Sequence, residues 1–162
     1  MNSTDTVAIS DLLSEERIHV SLPATSREDV IHMMVQLLEG HSSVTDLEQV
    51  REDVIERERM MSTGVGKGLA LPHAKTGGVS ETVGCFAVTA RPIDFDAMDE
   101  EPVRLVFMLA GPEAARSKHI KILSHISRLL NRKRLRTRIL DCDTPADVLA
   151  LFAEEEDTPA VS

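Results

Sequence analysis

The sequence predicts a single α/β domain with a central sheet covered by helices. Three observations point there. Short β-rich runs at Ile18–Leu22, Val83–Thr89 and Val103–Leu109 are separated by segments of helical periodicity. Helical segments fall both before and after the main strand group, so there is helix enough to cover a sheet. At 162 residues, with 42% hydrophobic and 28% charged, the chain has the length and balance of one folded domain.

The first strand rests on Ile18, Val20 and Leu22, which alternate with polar neighbours until Pro23 ends the run. Ser26 and Asp29 then form a variant capping box, and Val30, Ile31, Met34, Leu37 and Leu38 recur at helical spacing as far as Gly40. Thr45 and Glu48 repeat the start signal for a second helix with Leu47, Val50, Val54 and Ile55 on its buried face, running out near Arg57–Arg59. Leu69, Ala70 and Leu71 suit a short buried strand that Pro72 stops, presenting His73 at a strand end. Val83–Thr89 reads as a central strand and residues 91–101 as a polar connection carrying Ile93 and Phe95, with a short strand there as the alternative. Val103–Leu109 is apolar on both faces, so it lies inside the sheet, and Gly111-Pro112 ends it.

At 100° per residue, Ile122, Leu123, Ile126, Leu129 and Leu130 share one arc of a helix over 117–130. His119 falls inside that arc and faces inward, whereas His125 lies towards its edge. The basic run Arg132–Arg138, with Leu135, Ile139 and Leu140, suggests a short helix with an exposed charged face. Thr144-Pro145 opens a last helix through Val148, Leu149 and Phe152. Residues 1–8 are expected to form a flexible N-terminus, 9–153 the domain, and 154–162 a mobile acidic tail.

Composition excludes several functions. With aromatics at 2% and a formal charge of −9, neither base stacking nor a phosphate backbone finds a suitable surface, so no nucleic acid is expected. No apolar run approaches the length of a bilayer span and Met1–Thr6 lacks a signal core, so a cytoplasmic protein without membrane insertion is expected. Cys85 and Cys142 lie far apart outside any Cys-x-x-Cys pattern, and no histidine pair has helical ligand spacing, so neither a disulfide nor a metal site is expected.

The chemistry concentrates between Ser62 and Lys75. Gly64, Gly66 and Gly68 alternate there, a pattern that serves either a functional loop approaching an anion or a bend. The spacing fails the dinucleotide fingerprint, and Gly66-Lys67 lacks both the upstream glycine and the following Ser or Thr of a P-loop. His73 is then a candidate nucleophile, because a mostly neutral imidazole has a lone pair that can accept a phosphoryl group. Candidate stabilisers are the loop amides, Arg57 and His119. The alternatives stay open: His73 as a plain loop residue, His119 as a satisfied core histidine, Lys67 as a solvated side chain, and Asp94–Glu101 as a solvated acidic loop.

Glu58, followed by Val65-Gly66-Lys67-Gly68-Leu69-Ala70-Leu71-Pro72-His73-Ala74, resembles the active-site signature of the IIA component of the bacterial phosphotransferase system, fructose/mannitol class. The similarity runs from about Ile9 to Phe152, taking in Arg57-Glu58, Pro92–Asp99, Pro102-Val103 and His119, and is greatest towards the nitrogen-regulatory branch. Lys67, where regulatory members commonly have Asn, and Met61, where a small residue is common, depart from it.

The resemblance implies a mixed β-sheet sandwiched between α-helices and a phosphohistidine carrier without metal or organic cofactor. His73 would be the phosphoryl acceptor, His119 the supporting histidine, Arg57 a phosphate-stabilising residue, and Gly64, Gly66, Lys67 and Gly68 a phosphate loop. The donor would be HPr or its nitrogen-branch paralogue, and the output a regulatory protein. Transfer to a separate IIB protein in sugar transport, and a binding module that does not require phosphorylation, are the alternatives.

Overall fold

The computed structural model describes residues 7–157. Six strands, β1 (Ile18–Leu22), β2 (Gly64–Gly66), β3 (Leu69–Ala70), β4 (His73–Lys75), β5 (Val83–Ile93) and β6 (Val103–Gly111), form one mixed sheet in the order β1-β5-β6-β3-β2. β4 follows β3 along the same edge of β6. β1 with β5, and β3 and β4 with β6, are parallel; β5 with β6, and β2 with β3, are antiparallel.

Side chains alternate across β5 and β6, as the period of two requires. Cys85, Ala87, Val106, Met108 and Ala110 enter one core with α2 (Arg27–Gln36) and α3 (Leu47–Met60). Phe86, Val88, Leu105, Phe107 and Leu109 enter the other. That second layer holds α1 (Ile9–Leu12), α4 (Arg116–Leu130), α5 (Lys133–Leu140) and α6 (Pro145–Glu156). In it, Phe152 sets its ring edge-on to Phe86 and Phe107, at centroid distances of 5.2 and 6.1 Å. The expected sheet between helix layers is therefore the observed one.

Local signals mostly coincide with the elements they predict. Ser26 caps α2 by accepting from the Asp29 amide at 3.1 Å, and Thr144 caps α6 by accepting from the Asp147 amide at 3.1 Å. α3 is capped by Asp46, not Thr45, because the Asp46 carboxylate accepts from the Gln49 amide at 3.2 Å. β5 continues through Arg91–Ile93, which the sequence assigned to a connection. The β5–β6 register slips between Val88 and Ile93, so the exposed Arg91 and Pro92 mark a bulge rather than the strand's end.

The acidic tail begins later than expected. Glu154, Glu155 and Glu156 complete α6. Buried Glu155 receives Arg132 at 3.1 Å and Arg138 at 3.4 Å, while Glu156 caps the amides of Ile9 and Ser10 and meets His125 Nε2 at 3.0 Å. The basic face of α5 and the start of the supposed tail thus neutralise each other. Residues 1–6 and 158–162, the rest of the two expected flexible ends, lie outside the described residues. Among the described residues no helix is long and apolar enough to cross a membrane.

Phe152 has no exposed surface and touches two other rings, so its loss opens a cavity that the rigid sheet cannot collapse into. Phe152→Ala is expected to cost about 3–5 kcal/mol, read as a lower urea midpoint with an unchanged denaturant slope.

Candidate functional site

β4 resumes only two residues after β3, and the Leu71-Pro72 link stays on the edge of β6: Pro72 O accepts from the Leu109 amide at 3.0 Å. His73 therefore starts a strand, where the sequence placed it at the end of one. Ala74 enters the core beneath α2 and α3, so the alternation turns His73 and Lys75 to the opposite face, against α4. His119 comes down onto that face from the first turns of α4, with 4% exposure, while Ile120 beside it is 60% exposed. The two imidazoles meet with centroids 5.6 Å apart and planes inclined by 50°.

The half-buried His73 is held in one tautomer. Its Nδ1 lies 2.8 Å from Leu71 O. A carbonyl oxygen only accepts, so Nδ1 carries the hydrogen and Nε2 keeps the lone pair. Burial pushes the His73 pKa below 6.5; the Leu71 bond opposes that shift, and the charges of Arg57 and Lys75 reinforce it. His119 is pushed down to about 4, first by burial, then by His73 and Lys75. Both rings are neutral at pH 7, and neither His119 nitrogen has a hydrogen-bond partner among the described residues.

Arg57 stands in the last turn of α3, where its guanidinium donates to Met61 O at 3.2 Å and its charge reaches His73. Glu58 beside it is buried, accepting from the Thr63 amide at 3.0 Å and the Thr63 hydroxyl, with Arg27 at 3.7 Å. This carboxylate ties the end of α3 to the start of β2 and so sets where Arg57 stands.

The glycine-rich stretch is not part of this cluster. Gly66, Lys67 and Gly68 take φ of +95°, +60° and +77° to turn the β2–β3 hairpin, and the Lys67 amide donates to Asp99 Oδ2 at 2.9 Å. Gly64 is glycine for close packing, since a Cβ there would stand 3.0 Å from Ala97 Cβ. Leu69 pairs with Leu105 but His73 with Leu109, four residues on, or about 13 Å along the strand. Lys67 Nζ meanwhile bonds Asn131 at the C-terminal end of α4, about 18 Å along the helix from His119. The structure places Gly64, Gly66, Lys67 and Gly68, the expected phosphate loop, in a hairpin turn beside a carboxylate, at the far end of α4.

Lys75, whose charge acts on both imidazoles, is a neighbour of the pair that sequence reasoning missed. Strand alternation puts Lys75 on the face of His73, a signal visible only if a strand is read through Pro72. No metal-binding group of three His, Cys, Asp or Glu side chains occurs among the described residues. What the cluster offers is a lone pair at His73 Nε2, two cations and a neutral second imidazole, which suits transfer of an anionic group to nitrogen.

A family model described as "Phosphoenolpyruvate-dependent sugar phosphotransferase system, EIIA 2" matches residues 11–155. The fructose-specific EIIA component of Haloferax volcanii is 36% identical over 150 residues, covering 93% of this chain and 97% of that protein. A nitrogen regulatory protein of Bradyrhizobium diazoefficiens is 38% identical over 124 residues, covering 75% and 79%. The fructose-specific EIIABC component of Bacillus subtilis is 31% identical over 148 residues, but the chain spans only 23% of it. Among solved structures, the nitrogen regulatory protein IIA-Ntr of Neisseria meningitidis superposes with a TM-score of 0.83 at 32% identity, covering 90% of this chain and 99% of that one.

The depressed imidazoles have a pH consequence of definite sign. Between about pH 4 and 6.5 the unfolded chain binds protons that folded His119 refuses, so stability is full above 6.5 and falls as the pH drops towards 4. The loss from His119 alone is on the order of 3 kcal/mol. Imidazole NMR shifts should show His119 still neutral at pH 5, and urea midpoints should drop over the same window.

Proposed function

Because the chain belongs to the EIIA 2 family of the phosphoenolpyruvate-dependent sugar phosphotransferase system, whose members carry phosphoryl groups, we propose that it is a phosphohistidine carrier with His73 as the acceptor. The observation that carries the reading is the 2.8 Å contact between His73 Nδ1 and Leu71 O, which leaves Nε2 unprotonated beside His119, Arg57 and Lys75. In the transfer, the Nε2 lone pair attacks phosphorus as the bond to the donor breaks, and the donor leaves with that electron pair. Nδ1 keeps its hydrogen throughout, so no base is needed. Lys75 and Arg57 face the equatorial oxygens as charge spreads over them, and His119 supplies a hydrogen bond. The donor on this reading is an HPr-type phosphocarrier.

The output we assign is regulatory. A phosphoryl group adds nearly two negative charges to a face that carries exposed Met60, Met61 and Ile120 near its edges, and so changes which protein docks there. The likeness to IIA-Ntr supports this. The near full-length match to a fructose-specific EIIA favours a second reading, in which the phosphoryl group passes to a IIB protein. Incubating phosphorylated protein with a purified fructose-type IIB separates the two, since only the transport reading expects the label to move.

His73→Ala should abolish acid-labile, alkali-stable phosphate uptake from a phosphorylated HPr-type donor; labelling at the wild-type level would overturn the carrier. His119→Ala should slow uptake about a hundredfold without moving the label. Lys67→Ala, at the far end of α4, should leave the uptake rate within about twofold, as expected of an exposed substitution outside the site.

A further inference from the structure

A neutral imidazole carries its hydrogen on only one nitrogen, and that choice decides whether His119 offers its neighbour a donor or a lone pair. The sheet register indicates what makes the choice. Val83 pairs with Ala110 and Lys75 with Gly111, so Thr82, Gly111 and Lys75 form one row across β5, β6 and β4. Gly84, Leu109 and His73 form the next row on the same face.

Thr82 stands just before β5, and in the row it opens the middle residue has no side chain, so the His119 ring takes its place. A Cβ on Gly111 would stand 3.0 Å from His119 Nδ1 and 3.2 Å from Thr82 Oγ1. The ring thus turns Nδ1 towards the side where the Thr82 hydroxyl lies, and Nε2 sits at its other end. Thr82 Oγ1 and both His119 nitrogens are sealed from solvent without a partner among the described residues, and buried polar groups that converge on one point are ordinarily each other's partners.

We propose that Thr82 is a positioning residue: its hydroxyl donates to His119 Nδ1 across the Cα of Gly111, which puts the ring hydrogen on Nε2. The purpose of this arrangement rests on the phosphocarrier reading, since an Nε2 hydrogen is what a phosphoryl group on His73 needs. The tautomer itself does not depend on that reading. Glycine at 111 is part of the device, because a larger residue would push the ring out of its slot.

Two-bond hydrogen–nitrogen NMR correlations of the imidazoles, recorded at pH 7 without any phosphoryl donor, test the assignment. Wild-type His119 is expected in the Nε2–H form, Thr82→Ser should keep it, and Thr82→Val should give a mixture of tautomers. Phosphoryl uptake should fall about tenfold in Thr82→Val and stay within about twofold of wild type in Thr82→Ser. A wild-type Nδ1–H form, or a Thr82→Val spectrum identical to wild type, would overturn the proposal even if uptake were slowed. Should Thr82→Val fail to fold, Gly111→Ala serves instead: with Thr82 intact it is expected to displace the ring and mix the tautomers, and an unchanged His119 spectrum would overturn the slot. Absence of uptake in the wild type would reject the carrier reading, leaving the tautomer measurement to judge Thr82 by itself.

Discussion

The parallel pairing of β4 with β6 is the constraint on which the site depends. Three residues, His73 to Lys75, lie along the edge of a strand buried on both faces, and their register against Leu109–Gly111 decides everything that meets His73. A slip of one residue would turn Ala74 towards α4 and send His73 and Lys75 into the core beneath α2 and α3. The Leu71-Pro72 link maintains this register, with Pro72 O tied to the Leu109 amide and Leu71 O tied to the imidazole. One short segment thus fixes the ring's position, face and tautomer together.

Burial and charge then act in one direction. Both imidazoles are held neutral, and the charges that act on them among the described residues are cationic, Arg57 and Lys75. Neutrality costs stability in acid but keeps a lone pair available at neutral pH. Of the acidic residues behind the net charge of −9, Asp99 stands at the β2–β3 hairpin, where it accepts from the Lys67 amide.

Much of the fold was legible because its signals are local. The apolar run of β6, the Ser26 and Thr144 caps and the inward arc of His119 each depend on a few adjacent residues, and each stands where periodicity put it. The glycine series stayed ambiguous because alternating glycines serve a tight hairpin as well as an anion loop, and it is strand pairing that shows the hairpin. Arg132 and Glu155 read as two unrelated charged surfaces because their contact joins residues 23 apart in sequence.

By itself the sequence determined the α/β class, the helix and strand periodicities, and the presence of a histidine beside a proline after a short apolar strand. Those properties follow from side-chain volume, polarity and backbone restriction, which act between near neighbours. Tertiary structure alone decided that His73 and His119 meet, that Lys75 stands on their face, and that Gly111 leaves room for a ring next to Thr82. These are relations across strands and between layers, and they are set by hydrogen-bond register and packing, which no stretch of chain encodes without its partner.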